Sequence, residues 1–397
     1  MNGPSPTAGG RAGDRRAQLV AAAARLFAER GYESVAVEDV ATAAGVTGPG
    51  VYRHFEDKQA LLAEVVLAGV GHLEQRSAAA LGGSGADDLD ALLTGLVALA
   101  VARPPAAVVW RWTGVHLPPD RQREVARRVH ALLATWGRVV RTHRPELTEA
   151  DSELLSWAVL GVLGSTTVHR TRIGSARARE LLGAAGRRVL AVPPGPTAAV
   201  TAVPQRVGVV GSRREQILEE SARLFAERGY HAVGVDDIGA AVGIAGPSVY
   251  RHFPSKVSVL MAVCQRAADR LALGVLDALR TGTGPADVVR RLVDSYVGAL
   301  LVSPDLRVGM STDRAAVTGA DREGLRRSQR ELVDHWVRAV RAVHPDLATA
   351  DAAVLVHAGL TVANDLSRTG SVAGRPSLHA ELVALVLAVL DVPRSAD

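Results

Sequence analysis

One nine-residue phrase governs what this chain can fold into, because it appears twice. Ala24-Arg-Leu-Phe-Ala-Glu-Arg-Gly-Tyr32 returns unchanged as Ala222 to Tyr230, an offset of 198 in a chain of 397 residues. The same offset carries Gly45 onto Gly243, Gly48-Pro49 onto Gly246-Pro247, Val51-Tyr-Arg-His-Phe55 onto Val249 to Phe253, and Lys58 onto Lys256. Further on, Trp136, Arg138, Arg141, Pro145, Leu147 and Asp151 meet Trp336, Arg338, Arg341, Pro345, Leu347 and Asp351 at an offset of 200. A period this long is a duplicated domain rather than a solenoid repeat of about 20 to 50 residues. Whatever one half folds into, the other half folds into as well.

The composition then selects the fold class. Hydrophobic residues make up 48% of the chain but aromatics only 4%, and alanine, the strongest helix former, is the most frequent residue, ahead of valine and leucine, which favours helices over sheets. Between the copies, Ala191 to Gln205 is rich in proline and small residues, and its prolines forbid a regular helix. The expected architecture is all-α, in two tandem units. We expect a flexible tail at 1–14, heads at 15–66 and 211–264, helical domains at 67–190 and 265–392, and a linker at 191–210.

Within the first copy, Leu19, Ala23, Leu26 and Phe27 recur at helical spacing from about Arg15, and Gly31 suits a left-handed C-cap. A short second helix from Glu38 to Ala44 carries Glu38 and Asp39 in its first turn, where the helix dipole favours negative charge. Gly45 permits a tight turn. Thr47-Gly48-Pro49 then opens a third helix running to about Phe55, with threonine at the cap and proline near the first helical position. Two short helices joined by a glycine-containing turn make a helix-turn-helix. Val40, Val46, Val51 and Phe55 would face its core, and Gly50, Tyr52, Arg53 and His54 would point outward toward DNA.

Tyrosine and histidine can donate hydrogen bonds to phosphate oxygens, and Gly48 and Gly50 let a backbone come close. The competing reading makes Tyr52 and Phe55 core aromatics and His54 a surface histidine; finding the same set in both copies weighs against it. The chain holds only two lysines, Lys58 and Lys256, at matching positions, while arginine fills every other basic role. A lysine kept twice suggests one phosphate contact, or simple inheritance from the duplicated ancestor.

The segments Arg15 to Leu62 and Arg213 to Leu260 resemble the DNA-binding region of TetR-family regulators, through Ala-Arg-Leu-Phe-Ala-Glu-Arg-Gly-Tyr and Val-Tyr-Arg-His-Phe-Glu-Asp-Lys. The resemblance implies a three-helix head on a helical domain that dimerises and binds an effector. It implies phosphate or base contacts from Thr47, Tyr52, His54 and Lys58, matched by Tyr250, His252 and Lys256. Beside these, Arg15, Arg16, Gly48, Gly50 and Arg53 in the first head, and Arg213, Arg214, Gly246, Ser248 and Arg251 in the second, are expected at the DNA. Ala245 stands where the family usually carries serine or threonine, and Ser248 replaces Gly50, so the second head departs from the first. The tandem arrangement, with Trp157-Ala-Val and Ile244-Ala-Gly-Pro, is similar to double-headed regulators of mycobacterial lipid-uptake operons. That similarity implies control of lipid or steroid genes and an acyl or sterol-like effector.

Behind the heads, Trp110, Trp112, His116 and Trp157 could line a ligand pocket, although tryptophan and histidine at helical spacing are more often core. Leu154 to Val168 with Ala178 to Leu190, and Ala352 to Leu366 with Leu378 to Leu390, read as apolar helix pairs. In the resembled family two such pairs, one per subunit, form the dimer interface. Here both come from one polypeptide, which leads us to expect an intramolecular pseudo-dimer and leaves room for two chains to pair.

No nucleophile elbow, phosphate loop, dinucleotide fingerprint or metal-binding histidine pair occurs, so neither an enzyme nor a cofactor or metal site is expected. One cysteine, Cys264, allows no disulfide framework within a chain. Residues 1–14 hold no signal-peptide core and no apolar run reaches the about 20 residues of a membrane span, so the expected setting is cytoplasmic. The partners expected are a double-stranded DNA operator and a small effector, with no membrane. The rival reading is a ligand- or protein-binding module in which the second head has lost its affinity for DNA.

Overall fold

A computed structural model describes residues 8–32, 34–82, 88–102, 117–167, 171, 173–193, 195, 211–309, 317 and 319–394. Every regular element among them is helical. The first copy contributes α1 (Ala8–Arg30), α2 (Val37–Ala43), α3 (Gly48–Tyr52), α4 (Lys58–Leu81), α5 (Asp88–Ala102), α6 (Pro119–His143), α7 (Glu149–Gly164) and α8 (Ser175–Leu190). The second contributes α9 (Arg213–Arg228), α10 (Val235–Ala241), α11 (Gly246–Val249), α12 (Lys256–Thr281), α13 (Pro285–Val302), α14 (Pro304–Gly309), α15 (Gly319–Val343), α16 (Thr349–Leu366), α17 (Gly370–Ala373) and α18 (Leu378–Leu390). No described helix is long and apolar enough to cross a membrane.

Two boundaries differ from the sequence reading. α1 begins at Ala8 rather than near Arg15, so the expected tail ends sooner. Its glycines weaken a helix by about 1 kcal/mol each without forbidding it. α3 stops at Tyr52 instead of reaching Phe55, because His54 and Phe55 both donate their N–H to Val51 in a turn that tucks Phe55 back into the core. α4 and α12 each leave a head and continue into the domain behind it without a break.

The chain divides into two compact units. The first runs to Ser156 and includes Gly174–Gly183; the second includes Trp157–Ser165 and everything from Ala184 onward. In the first unit α4 and α6 are joined by Trp136, whose Nε1 donates to Ser77 Oγ at 2.9 Å in the interior, and by Arg128, which forks onto Glu74. α6 and α7 meet where Arg141 donates to Ser152 Oγ at 2.7 Å.

The second unit is joined across its apolar interior by an aromatic pair and a hydrogen bond. Tyr296 of α13 packs edge-on against Trp336 of α15 with centroids 5.7 Å apart, and its hydroxyl accepts from Asn364 of α16 at 2.7 Å. Within this unit, residues of the first copy touch the second copy's helix pair. A Cβ on Gly161 would come within 3.1 Å of Val362, so the absence of a side chain there sets the approach of two helices. Arg188 caps the end of α18, donating to the Ala388 and Val389 carbonyls at 2.7 and 2.9 Å, with Asp391 at 3.4 Å. Cations at a helix C-terminus satisfy its orphan carbonyls and its dipole.

His357, on α16, has its pKa lowered to about 4 by burial. The unfolded chain takes up this proton below about 6.5 and the folded chain does not, so the folded state is favoured fully above that pH and progressively less as pH falls toward 4. Linkage puts the loss at up to about 3 kcal/mol. Urea midpoints measured from pH 7.5 down to 4.5 should fall accordingly, and His357→Gln should flatten that part of the profile. An unchanged slope in the variant would assign the dependence to other groups.

Candidate nucleic-acid interface

Each head is built by the same physical devices. Gly31 and Gly45 have φ of +84° and +67°, and Gly229 and Gly243 have +82° and +71°, a region costly for any other residue. Gly31 and Gly229 end α1 and α9, donating to the Phe27 and Phe225 carbonyls. Gly45 and Gly243 turn the chain between the two short helices, with Val46 and Ile244 N–H closing on the Ala41 and Gly239 carbonyls, both at 2.9 Å. Asp39 and Asp237 accept the N–H of Ala36 and Gly234, fixing the starts of α2 and α10. The next helices are capped by Asp57 on the Ala60 N–H and by Ser255 on the Ser258 N–H.

Leu19, Leu26, Phe27, Val40, Val51 and Phe55 are buried in the first head, as their spacing requires, while Val46 is half-buried. The second head buries Ile217, Leu224, Phe225, Ile238, Val249 and Phe253 together. What stays outside is the expected set. Tyr52 and Tyr250 are each 52% exposed, too open for core aromatics. Arg53, Arg251 and His252 are exposed and His54 is half-buried. Among the described residues none of these side chains makes a hydrogen bond or ion pair. Thr47 sits at the N-cap position of α3, yet its hydroxyl makes no cap bond, and the residue is exposed. Donors without partners among the described residues are open to an acceptor from outside the chain.

The other basic residues of the expected set are engaged within the heads. Lys58 Nζ lies 4.2 Å over the Tyr32 ring and Lys256 Nζ lies 4.2 Å over the Tyr230 ring. Each tyrosine in turn meets a phenylalanine edge-on, Phe27 at 5.3 Å and Phe225 at 5.4 Å. The tyrosines were invisible as partners in the sequence, although the repeat carries both unchanged. Arg16 and Arg214 stack over Phe55 and Phe253 at 4.8 and 4.6 Å, and Arg16 also pairs with Glu64 at 2.9 Å. Arg15 and Arg213 reach Gln18 and Gln216, and Arg213 also donates to the Val242 carbonyl at 2.7 Å.

The heads part company at the start of the third helix. A Cβ on Gly48 would meet only Glu38, at 3.9 Å, and one on Gly50 would meet nothing closer than 3.5 Å, so Ser248 fits the same space in the second head. Gly246 is different: a Cβ there would overlap the Asp236 carboxylate. Gly246 is therefore required by packing, whereas Gly48 leaves open surface.

Of the residues considered for a ligand pocket, Trp157 is buried in α7, as a core residue would be. Trp110, Trp112 and His116 lie outside the described residues.

Comparison with known proteins finds similarity over both heads. The model of the tetR family of bacterial regulatory proteins matches residues 19–65 and 217–263. The transcriptional activator FasR of Mycolicibacterium smegmatis is 42% identical over 84 residues, 21% of this chain and 38% of that protein. The transcriptional repressor KstR2 of Mycobacterium tuberculosis is 43% identical over 72 residues, 18% of this chain and 32% of that protein. The chain thus spans well under half the length of these relatives. A solved TetR-family regulator from Bordetella parapertussis superposes with a TM-score of 0.42 at 26% identity, over 45% of this chain and 94% of its own. The chain thus carries two segments, 19–65 and 217–263, that each match the model of bacterial regulatory proteins of the tetR family.

Proposed function

We propose that the chain is a sequence-specific DNA-binding transcription regulator, a repressor whose two heads read the two halves of one imperfectly palindromic operator. The observation that carries this reading is the repeated surface: two heads that present the same exposed tyrosine, arginine and histidine, with no partners for them among the described residues. The heads would contact DNA through Thr47, Gly48, Gly50, Tyr52, Arg53, His54 and Lys58, and through Gly246, Ser248, Tyr250, Arg251, His252 and Lys256. Arg15, Arg16, Arg213 and Arg214 flank them.

The pairing of the heads is proposed to be intramolecular, as a pseudo-dimer of the two copies. The fit of Gly161 against Val362 and the capping of α18 by Arg188 support it. The effector is proposed to be small and hydrophobic, of acyl or sterol type, and the regulated genes to serve lipid or steroid uptake and breakdown, in the cytoplasm. A second reading, with one head silent on DNA, is favoured by Ala245, which lacks the hydroxyl that Thr47 presents.

Selection of bound fragments from a random duplex pool by the full chain tests both. A two-part, nearly symmetric motif with centres about 34 to 36 Å apart, or somewhat more, is the expected result. A single half-site would establish the silent-head reading, and no enrichment would overturn DNA recognition. Affinity should also fall by about a thousandfold between 50 and 200 mM salt if some six phosphates are neutralised.

A further inference from the structure

The C-terminal half of α12 carries an exposed apolar stripe that the first copy lacks. Leu273, Leu276 and Leu279 are 62%, 60% and 49% exposed, an unusual number of bare leucines on one helix. Asp269, Leu273, Leu276 and Arg280 are all exposed, and their spacing places them within about 60° of one another around the helix. The matching positions in the first copy are Gly71, Gln75, Ala78 and Gly82, and Leu81 matches Leu279, so the leucines at 273 and 276 belong to the second copy alone.

The order of residues along this stripe is self-complementary. Turned antiparallel about a two-fold axis passing between Gly274 and Val275, Leu273 meets the second copy's Leu276 and Asp269 meets its Arg280. Each pairing then occurs twice, as an isologous contact requires. Gly274 does not obstruct this face, because the position of its absent Cβ is turned toward Ser295 of α13. Within its own chain Asp269 accepts from Gln265 at 2.8 Å, and Arg280 reaches Asp277 at 3.2 Å. Both are solvent-exposed contacts screened by water, so exchanging them costs little.

We infer that this stripe is a homotypic contact: two chains associate through antiparallel α12 helices, which brings four heads into one assembly. The contact uses α12 alone and does not depend on how the two copies pair within a chain. A helix face of this length buries less than the about 1,200 Å² at the lower end of standard interfaces, so the association is weak, with a Kd on the order of micromolar or above.

Sedimentation velocity of the full, DNA-free chain from about 1 to 100 µM, a range bracketing such a Kd, tests the inference. The expected result is a mass rising from that of one chain, 41.5 kDa, toward twice that value. The variant Leu273→Glu/Leu276→Glu should remain a single chain throughout, with an unchanged far-UV spectrum because both positions are exposed. Asp269→Arg and Arg280→Asp should each weaken association by about tenfold, the effect of losing one opposed charge pair in each half and facing like charges instead. The double variant Asp269→Arg/Arg280→Asp should restore it, since the antiparallel pairing swaps both signs at once. A chain that stays single at the highest concentration overturns the inference and leaves the stripe to a different protein. Association that survives the leucine variant overturns it too, placing self-association on another face, such as the helix pairs. Failure of the double reversal to rescue would refute the antiparallel register and the contact argued from it.

Discussion

A chain with Tyr52→Ala and Arg53→Glu should bind a two-half-site operator about a hundredfold more weakly than the unaltered chain, and Tyr250→Ala with Arg251→Glu should do the same. The magnitude follows from linkage of the heads. Once one head is seated, the other binds at a high effective concentration, and losing that second event costs about 10² to 10⁴ in affinity. All four substitutions together should abolish specific binding, leaving at most a non-specific Kd of about 10⁻⁴ M or weaker. The four side chains are exposed and make no described contacts within the chain, so thermal stability should move by no more than about 0.5 kcal/mol. Fluorescence anisotropy on a labelled duplex at fixed salt reads the binding, and urea unfolding reads the control. If the second-head pair is silent while the first is not, the heads are unequal and the operator is read by one of them.

The second large effect concerns stability. Asp305→Ala should destabilise the second unit by about 3 to 5 kcal/mol, seen as a lowered urea midpoint. Asp305 is 1% exposed, at the start of α14, and its carboxylate receives Arg266 Nε and Nη2 at 3.0 and 3.1 Å. The same guanidinium also reaches Glu215 and Glu219 of α9. Burial works against the charge on Arg266, but Asp305, Glu219 and Glu215 outweigh it and hold the group firmly protonated. Removing the buried carboxylate leaves a cation with only exposed partners. The double variant Arg266→Met/Asp305→Leu should recover most of the loss, because apolar side chains of similar volume replace a buried ion pair at little net cost. If the double variant were as unstable as Asp305→Ala, the loss would be one of packing rather than of charge.

Glycines at positive φ, buried valines and exposed tyrosines could be read from the sequence because each depends on local periodicity or a local turn. Gly31, Gly45, Val40, Val51 and Tyr52 are of this kind. α3 was read too long because a helix and a turn both bring Phe55 inward from Val51, and periodicity alone does not separate them. The partners of Lys58 and Asp305 were not legible for another reason. Tyr32 lies 26 residues before Lys58, and Arg266 lies 39 before Asp305, in separate helices whose packing no spacing rule reports. The sequence showed that lysine recurred at two matching positions, and only the fold supplied the aromatic ring beneath each.

Those two stacked lysines have a consequence for chemistry in the laboratory. Apart from the α-amino group, they are the only primary amines in the chain, and both sit where a head meets the long helix behind it. Apart from the α-amino group, an amine-acylating reagent therefore finds its targets in the heads alone, and a protease specific for lysine has two places to cut. If each head binds DNA as proposed, the protection of each amine, followed by mass spectrometry, would give a separate occupancy signal for each head, with no probe introduced.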